Sequence, residues 1–121
     1  MGYTQDKGQY AEELACSFLK QQGLSFINKN YHCRYGEIDL IMKQDSTIVF
    51  VEVRYRKANS QVDSITSVDA RKQKKLYRSA ENYLQSNKVH HSALARFDVV
   101  GITQQSNSEP EINWIQNAIE G

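Results

Sequence analysis

Apolar residues along the chain switch between two periods, and the switches mark out its elements. From Lys7 to Gln22, Ala11, Leu14, Ala15, Phe18 and Leu19 recur at helical spacing and Gly23 follows as a stop signal, which predicts a helix packed along one face. Leu24 to Asn30 is short and mixed in character and predicts a first strand. Two strongly apolar runs, Gly36 to Lys43 and Thr47 to Lys57, are separated by Gln44-Asp45-Ser46-Thr47, a short stretch of turn formers, and predict an antiparallel hairpin. After a polar loop, Ala58 to Ser64, a second long helix is expected from about Ser67, a suitable N-cap, to about Ser86, with Val68, Leu76, Ala80, Tyr83 and Leu84 inward. Strands at Ala95 to Ile102 and Ile112 to Ile119 close the order α-β-β-β-α-β-β. A hairpin followed by a helical crossover to a further strand implies an α/β fold: a mixed central sheet flanked by two helices.

The hairpin carries acids where a core strand has no use for them. A turn centred between Asp45 and Ser46 sets Asp39 directly opposite Glu52, with Cβ atoms about 5 Å apart. At that distance, with an effective dielectric near 20, two carboxylates repel by about 3 kcal/mol. A divalent cation with oxygen ligands would neutralise the pair, and so would a proton held on one carboxyl at a raised pKa. A register shifted by one residue, or splayed surface acids paired with lysines, is the bland alternative. Strand alternation turns Glu37, Asp39 and Ile41 one way and Ile38, Leu40 and Met42 the other, while Phe50, Glu52, Arg54 and Arg56 share a face opposite Val51 and Val53. One side of the hairpin then reads as core and the other as a site, with Glu37 opposite Arg54 as a favourable pair. Arg54 is equally a candidate for phosphate binding.

The two helices add candidates. Glu12 lies at the edge of the first apolar stripe, beside Ala15, Cys16 and Leu19, and is a candidate third acid, whereas Glu13 points away. On the second helix Lys72 falls inside the inward stripe, where it could snorkel to solvent or reach over the sheet toward Asp39 and Glu52. Gln73 flanks the stripe one turn before Tyr77, and Arg71, Lys74, Lys75 and Arg78 point outward.

Composition narrows the class. The chain has 121 residues, 40% apolar and 24% charged, which bounds it to one domain, residues 1–121, with a real core. No segment reaches the length of an apolar membrane span and the N-terminus has no signal pattern, so a cytoplasmic protein is expected. Cys16 and Cys33 are far apart without ligand spacing, which argues against zinc and disulfides and for buried free thiols; His32, His90 and His91 are expected in surface loops. Net charge is only +1, but it is uneven. Between Arg54 and Arg78 eight bases (Arg54, Arg56, Lys57, Arg71, Lys72, Lys74, Lys75, Arg78) meet two acids, Asp63 and Asp69, and from Glu109 onward there are three glutamates and no base. That asymmetry suits one phosphate-facing side, although a solvated helix face is the commoner origin of any single basic run.

Taken together, Gly8-Gln9-Tyr10-Ala11-Glu12 with Ala15, Gly36-Glu37-Ile38-Asp39-Leu40-Ile41, Phe50-Val51-Glu52-Val53-Arg54, Lys72, and Arg96-Phe97-Asp98-Val99-Val100 resemble the PD-(D/E)XK nuclease superfamily, and more closely its small bacterial YraN-like branch of predicted endonucleases, over about residues 7 to 119. The resemblance implies a restriction endonuclease-like αβββαβ core that binds Mg²⁺ or Mn²⁺ and hydrolyses a DNA phosphodiester. Carried over by position, Asp39 and Glu52 would ligate the metal, the Val53 carbonyl would be a further ligand and Glu12 an assisting acid; Gln73 and Tyr77 match a Q-x-x-x-Y spacing of some members. The superfamily includes junction resolvases, which implies branched or damaged DNA as substrate and a homodimer acting on two strands. Two positions depart from the pattern. Ile38 replaces the proline, which costs little. Arg54 replaces the lysine after the second acid, and a guanidinium can hold a phosphate or stabilise developing charge but cannot accept a proton from water. Cleavage would then rest on water activated at the metal, oriented by Lys72. The alternative expectation is a catalytically weak or inactive nucleic-acid-binding module of the same fold, its phosphate contacts made by Lys74, Lys75 and Arg78; a purely structural polar network is the third.

Overall fold

The computed structural model describes residues 7–58, 70–87, 94–106 and 108–119. Seven elements follow one another as expected: α1 (Lys7–Gln21), β1 (Ser25–Cys33), β2 (Gly36–Gln44), β3 (Thr47–Lys57), α2 (Ala70–Ser86), β4 (Leu94–Gln104) and β5 (Glu111–Ile115). The strands form one sheet in sequence order, antiparallel throughout except for the parallel pair β3 and β4, which α2 connects. The fold is the mixed α/β sheet with two flanking helices that the pattern predicts. The predicted N-cap Ser67, the inward Val68 and both His90 and His91 lie outside the described residues.

Helix α1 stops because Gly23 takes φ 100°, a left-handed conformation open to glycine. The Gly23 amide donates to the Lys20 carbonyl at 3.0 Å and the Leu24 amide to that of Leu19 at 3.0 Å, which satisfies the last turn and drops Leu24 into the same core as Leu19. Strand β1 runs on past its predicted end. Asn30 has φ 51°, an interruption that reads as a stop, yet pairing resumes immediately with Tyr31 beside Ile38 and continues to Cys33 beside Gly36. His32 is therefore an exposed strand residue and not a loop residue. At the other end, β5 stops at Ile115 and not at Ile119: Asn117, with φ 53°, turns the chain, and Ile119 re-enters the core without being a strand residue.

Both faces of the sheet are core, which corrects the expectation of one apolar face and one site face. Under α1, Ala11, Ala15 and Leu19 pack on Leu40, Met42, Val49, Val51, Val100 and Ile102. Under α2, Leu76, Ala80 and Tyr83 pack on Ile38, Ile41, Phe50 and Val99. Ile41 and Phe50, placed with the acids by simple alternation, are buried here. Ile38 and Leu40 are two residues apart and belong to opposite faces, so alternation fails between them, at Asp39.

Asp98 ties the far side together. It is completely buried, accepts Arg96 Nε at 3.0 Å, Trp114 Nε1 at 2.9 Å and the Asn117 amide at 2.8 Å, and so fixes the turn after β5. Cys16 and Cys33 are free but half-buried, less enclosed than expected. No helix among the described residues is long and apolar enough to cross a membrane.

Candidate active site

The hairpin register is the predicted one. Pairing runs from Gln44 with Thr47 to Leu40 with Val51, across a two-residue turn in which Asp45 takes φ 55°. The next pair in that register would be Asp39 with Glu52. There the ladder gives way: Asp39 Oδ2 accepts the Val53 amide at 2.8 Å, so a side chain takes a strand amide and the carboxyl is turned in toward Glu52. Glu52 is only 6% exposed.

Its charge is met from α2 and from its own strand. Lys72 Nζ lies 2.5 Å from Glu52 Oε2, so the inward lysine reaches over the sheet, and Arg54 Nε lies 3.6 Å from the same oxygen. The expected pairing of Glu37 with Arg54 is replaced. Glu37 is exposed and sits 3.4 Å from His32 across the β1–β2 pair, while Arg54 turns to Glu52, the closer and more buried acid. Arg54 Nε and Nη2 are buried with no hydrogen-bond partner.

Burial of Asp39 is the main reason its carboxyl is pushed up to about 8. The charge of Glu52 beside it acts in the same direction, with a smaller push from Glu12, while the Val53 amide pulls the other way. Glu12 is also raised, first by burial, and is held back by hydrogen bonds with Asn30 and Asp39. Three acids from α1, β2 and β3 thus converge. Asp39 carries a proton at neutral pH while Glu52 is neutralised by Lys72.

These groups form the floor of a cleft of about 580 Å³ lined by Glu12, Glu37, Asp39, Glu52, Val53 and Arg54, with Arg71, Lys72 and Lys75 from α2 and Gly36 from the start of β2. Gly36 has φ 147°, and a Cβ there would sit 3.5 Å from Ser79 Oγ, so the strand passes close under α2. Arg71 and Lys75, outward by helical spacing, turn out to wall the cleft because it opens at the helix's flank. Arg56, Gln73, Lys74 and Arg78 do not line it. Asn30, which bonds Glu12, was missed from the sequence; an asparagine inside a strand was its only signal. Among the described residues, no three His, Cys, Asp or Glu side chains stand together at metal-binding spacing.

Comparison with known proteins agrees over nearly the whole chain. A UPF0102 protein of Pseudomonas aeruginosa strain LESB58 is 46% identical over 118 residues, covering 97% of this chain and 94% of the relative. A UPF0102 protein of Coxiella burnetii strain RSA 331 is 45% identical over 117 residues, 97% and 94%, and one of Nitrosococcus oceani is 45% identical over 113 residues, 93% and 90%. Residues 11–102 match the family described as "Uncharacterised protein family UPF0102". With most of α1, the hairpin acids and most of β4 inside that match, the chain belongs to the UPF0102 family, the YraN family.

Proposed function

We propose that this protein is a metal-dependent DNA endonuclease that hydrolyses phosphodiesters, with branched or damaged DNA as its substrate class. The observation that carries the reading is the pair of enclosed carboxyls, Asp39 and Glu52, on the floor of a cleft walled by Arg54, Arg71, Lys72 and Lys75. Acids below and bases around suit a substrate that is itself an anion held against a cation.

The donor set fits Mg²⁺ or Mn²⁺ in kind. Asp39, Glu52, the Val53 carbonyl and Glu12 offer oxygen alone, the chemistry hard divalent cations select. Asp39 keeps a proton that a cation would replace, since two adjacent buried carboxylates need a positive charge between them. When bound, such an ion supplies Lewis-acid polarisation of the phosphate and acidifies water. The chain's own groups do the rest. Arg54 turns its Nε to Glu52 and keeps Nη2 without a hydrogen bond at the cleft wall, suited to a non-bridging phosphate oxygen and to the charge that grows on it during attack. Lys72 holds Glu52 in position and brings an ammonium to the site where Arg54 cannot exchange protons. Arg71 and Lys75 meet flanking phosphates.

The test is cleavage of labelled linear, nicked, flapped and four-way-junction DNA with Mg²⁺ or Mn²⁺, by wild type, Asp39→Asn and Glu52→Gln. Cleavage by wild type alone is the expected result. DNA binding without cleavage in all three proteins would replace the enzyme by a binding module.

A further inference from the structure

A second groove lies beside the cleft, and its lining is of a different kind. It encloses about 250 Å³ between the β1–β2 turn and α2, lined by Tyr35, Arg78, Glu81, Asn82 and Gln85. That is below the roughly 300–1,000 Å³ of sites for drug-sized ligands and suits a single planar ring system. Four of its five side chains are hydrogen-bonding groups of the types that read base edges. The fifth is an aromatic ring in contact with an exposed neighbour: the Arg34 guanidinium lies 4.9 Å from the Tyr35 ring centroid, and Arg34 Nη2 donates to the Tyr35 hydroxyl at 2.7 Å. Asn82 is oriented by the Tyr31 hydroxyl, which donates to its amide oxygen and leaves the amide's donor end for a ligand.

The groove's position relates it to the cleft. Gly36 lines the cleft and Tyr35, the preceding residue, lines the groove; Lys75 lines the cleft and Arg78 the groove. On α2 that step is three residues, a rise of about 4.5 Å. The two cavities are therefore neighbours along one wall, separated by no more than a nucleotide's reach. Arg71, Lys75 and Arg78 fall at helical positions i, i+4 and i+7, one continuous basic stripe that runs past the cleft to the groove. A phosphate chain following that stripe would carry the next base to Tyr35, and a base still paired in a duplex could not enter.

From this juxtaposition we infer that the Tyr35–Arg78–Asn82–Gln85 groove binds an unpaired nucleobase adjacent to the phosphate held in the Asp39–Glu52 cleft, so that the protein selects DNA with a single-stranded segment at that position. The inference rests on the nucleic-acid reading of the cleft and adds the feature of the substrate that is recognised. Tyr35 stacks on the base, Gln85 and the Asn82 amide meet its edge, and Arg78 takes the intervening phosphate.

The experiment is binding in EDTA to a flapped duplex carrying 2-aminopurine at the first unpaired nucleotide, and to the same sequence fully paired. Wild type is expected to bind the flapped DNA about 10-fold tighter and to quench the probe, as stacking on one aromatic side chain allows. Tyr35→Ala should lose both the preference and the quenching while binding the paired duplex unchanged, and Tyr35→Phe should keep both. Gln85→Ala, on the exposed side of α2, reports on the same groove without touching the turn and should weaken flap binding alone. No preference in wild type, or an undiminished preference in Tyr35→Ala and Gln85→Ala, would overturn the inference. Preference and quenching without cleavage in Mn²⁺ would remove the nuclease and leave the groove, whereas cleavage of paired duplex without preference would do the reverse.

Discussion

Asp39→Asn should make the fold's stability less dependent on pH, because the wild-type carboxyl is held protonated by the folded state alone. Its pKa rises from 3.8 to about 8 on folding, through burial first and the Glu52 charge second. Since the folded value is the higher one, the stability linked to Asp39 is fully present below pH 3.8, is lost as pH rises, and is gone above about 8. Within that window the slope approaches one proton, about 1.4 kcal/mol per pH unit, so between pH 5 and pH 7 wild type should lose up to about 2.7 kcal/mol more than the variant. Asparagine imitates the neutral acid and keeps an oxygen for the Val53 amide, so the hydrogen bond at 2.8 Å survives the change. Urea unfolding of both proteins in EDTA, at pH 5, 7 and 9, isolates the difference, because every other residue is common to both. Parallel curves would refute the argument and mean that Asp39 is ionised in the fold.

Three further outcomes follow from other sites. Arg54→Ala should reduce cleavage about 100-fold, as loss of one preorganised charge-stabilising donor does, while DNA affinity in EDTA falls less; equal losses in both would make Arg54 a binding residue only. Gly36→Ala should destabilise by about 1 kcal/mol or more by thermal melting; because the added Cβ meets Ser79 Oγ at an ordinary 3.5 Å, the cost comes from the φ of 147°, and an unchanged melt would show that the backbone relaxes. Asp98→Ala, which strands Arg96, Trp114 Nε1 and the Asn117 amide, should cost about 3 kcal/mol in denaturant titrations, and a loss well under 1 kcal/mol would show water replacing the carboxyl.

The element order and the hairpin register could be read from the sequence because they depend on local signals: Gly23 at a helix end, and a two-residue turn at Asp45-Ser46 that leaves little freedom in the pairing. Glu12 and Lys72 could be placed from helical periodicity, which holds over whole turns. Alternation in β2 could not be carried past Asp39, because that carboxyl takes a backbone amide and the strand's facing slips between Leu40 and Ile38. Asn30 and the true ends of β1 and β5 escaped for a related reason. Left-handed residues at positions 30 and 117 look alike in sequence, and only the neighbouring strand decides that one is an interruption and the other an end.

The hairpin that brings Asp39 beside Glu52 also bears on how the chain folds. Strands β2 and β3 meet across two residues, while β3 meets β4 only when Thr47 finds Leu94, with the whole of α2 between them. Local pairing forms before such distant pairing, so the charge repulsion of the two acids enters early, on the way to the folding transition state, and the desolvation of Asp39 follows as the helices close over it. Mild acid, which removes the repulsion, should therefore speed refolding, and because desolvation is the larger influence on Asp39 and comes later, the same acid should slow unfolding by more.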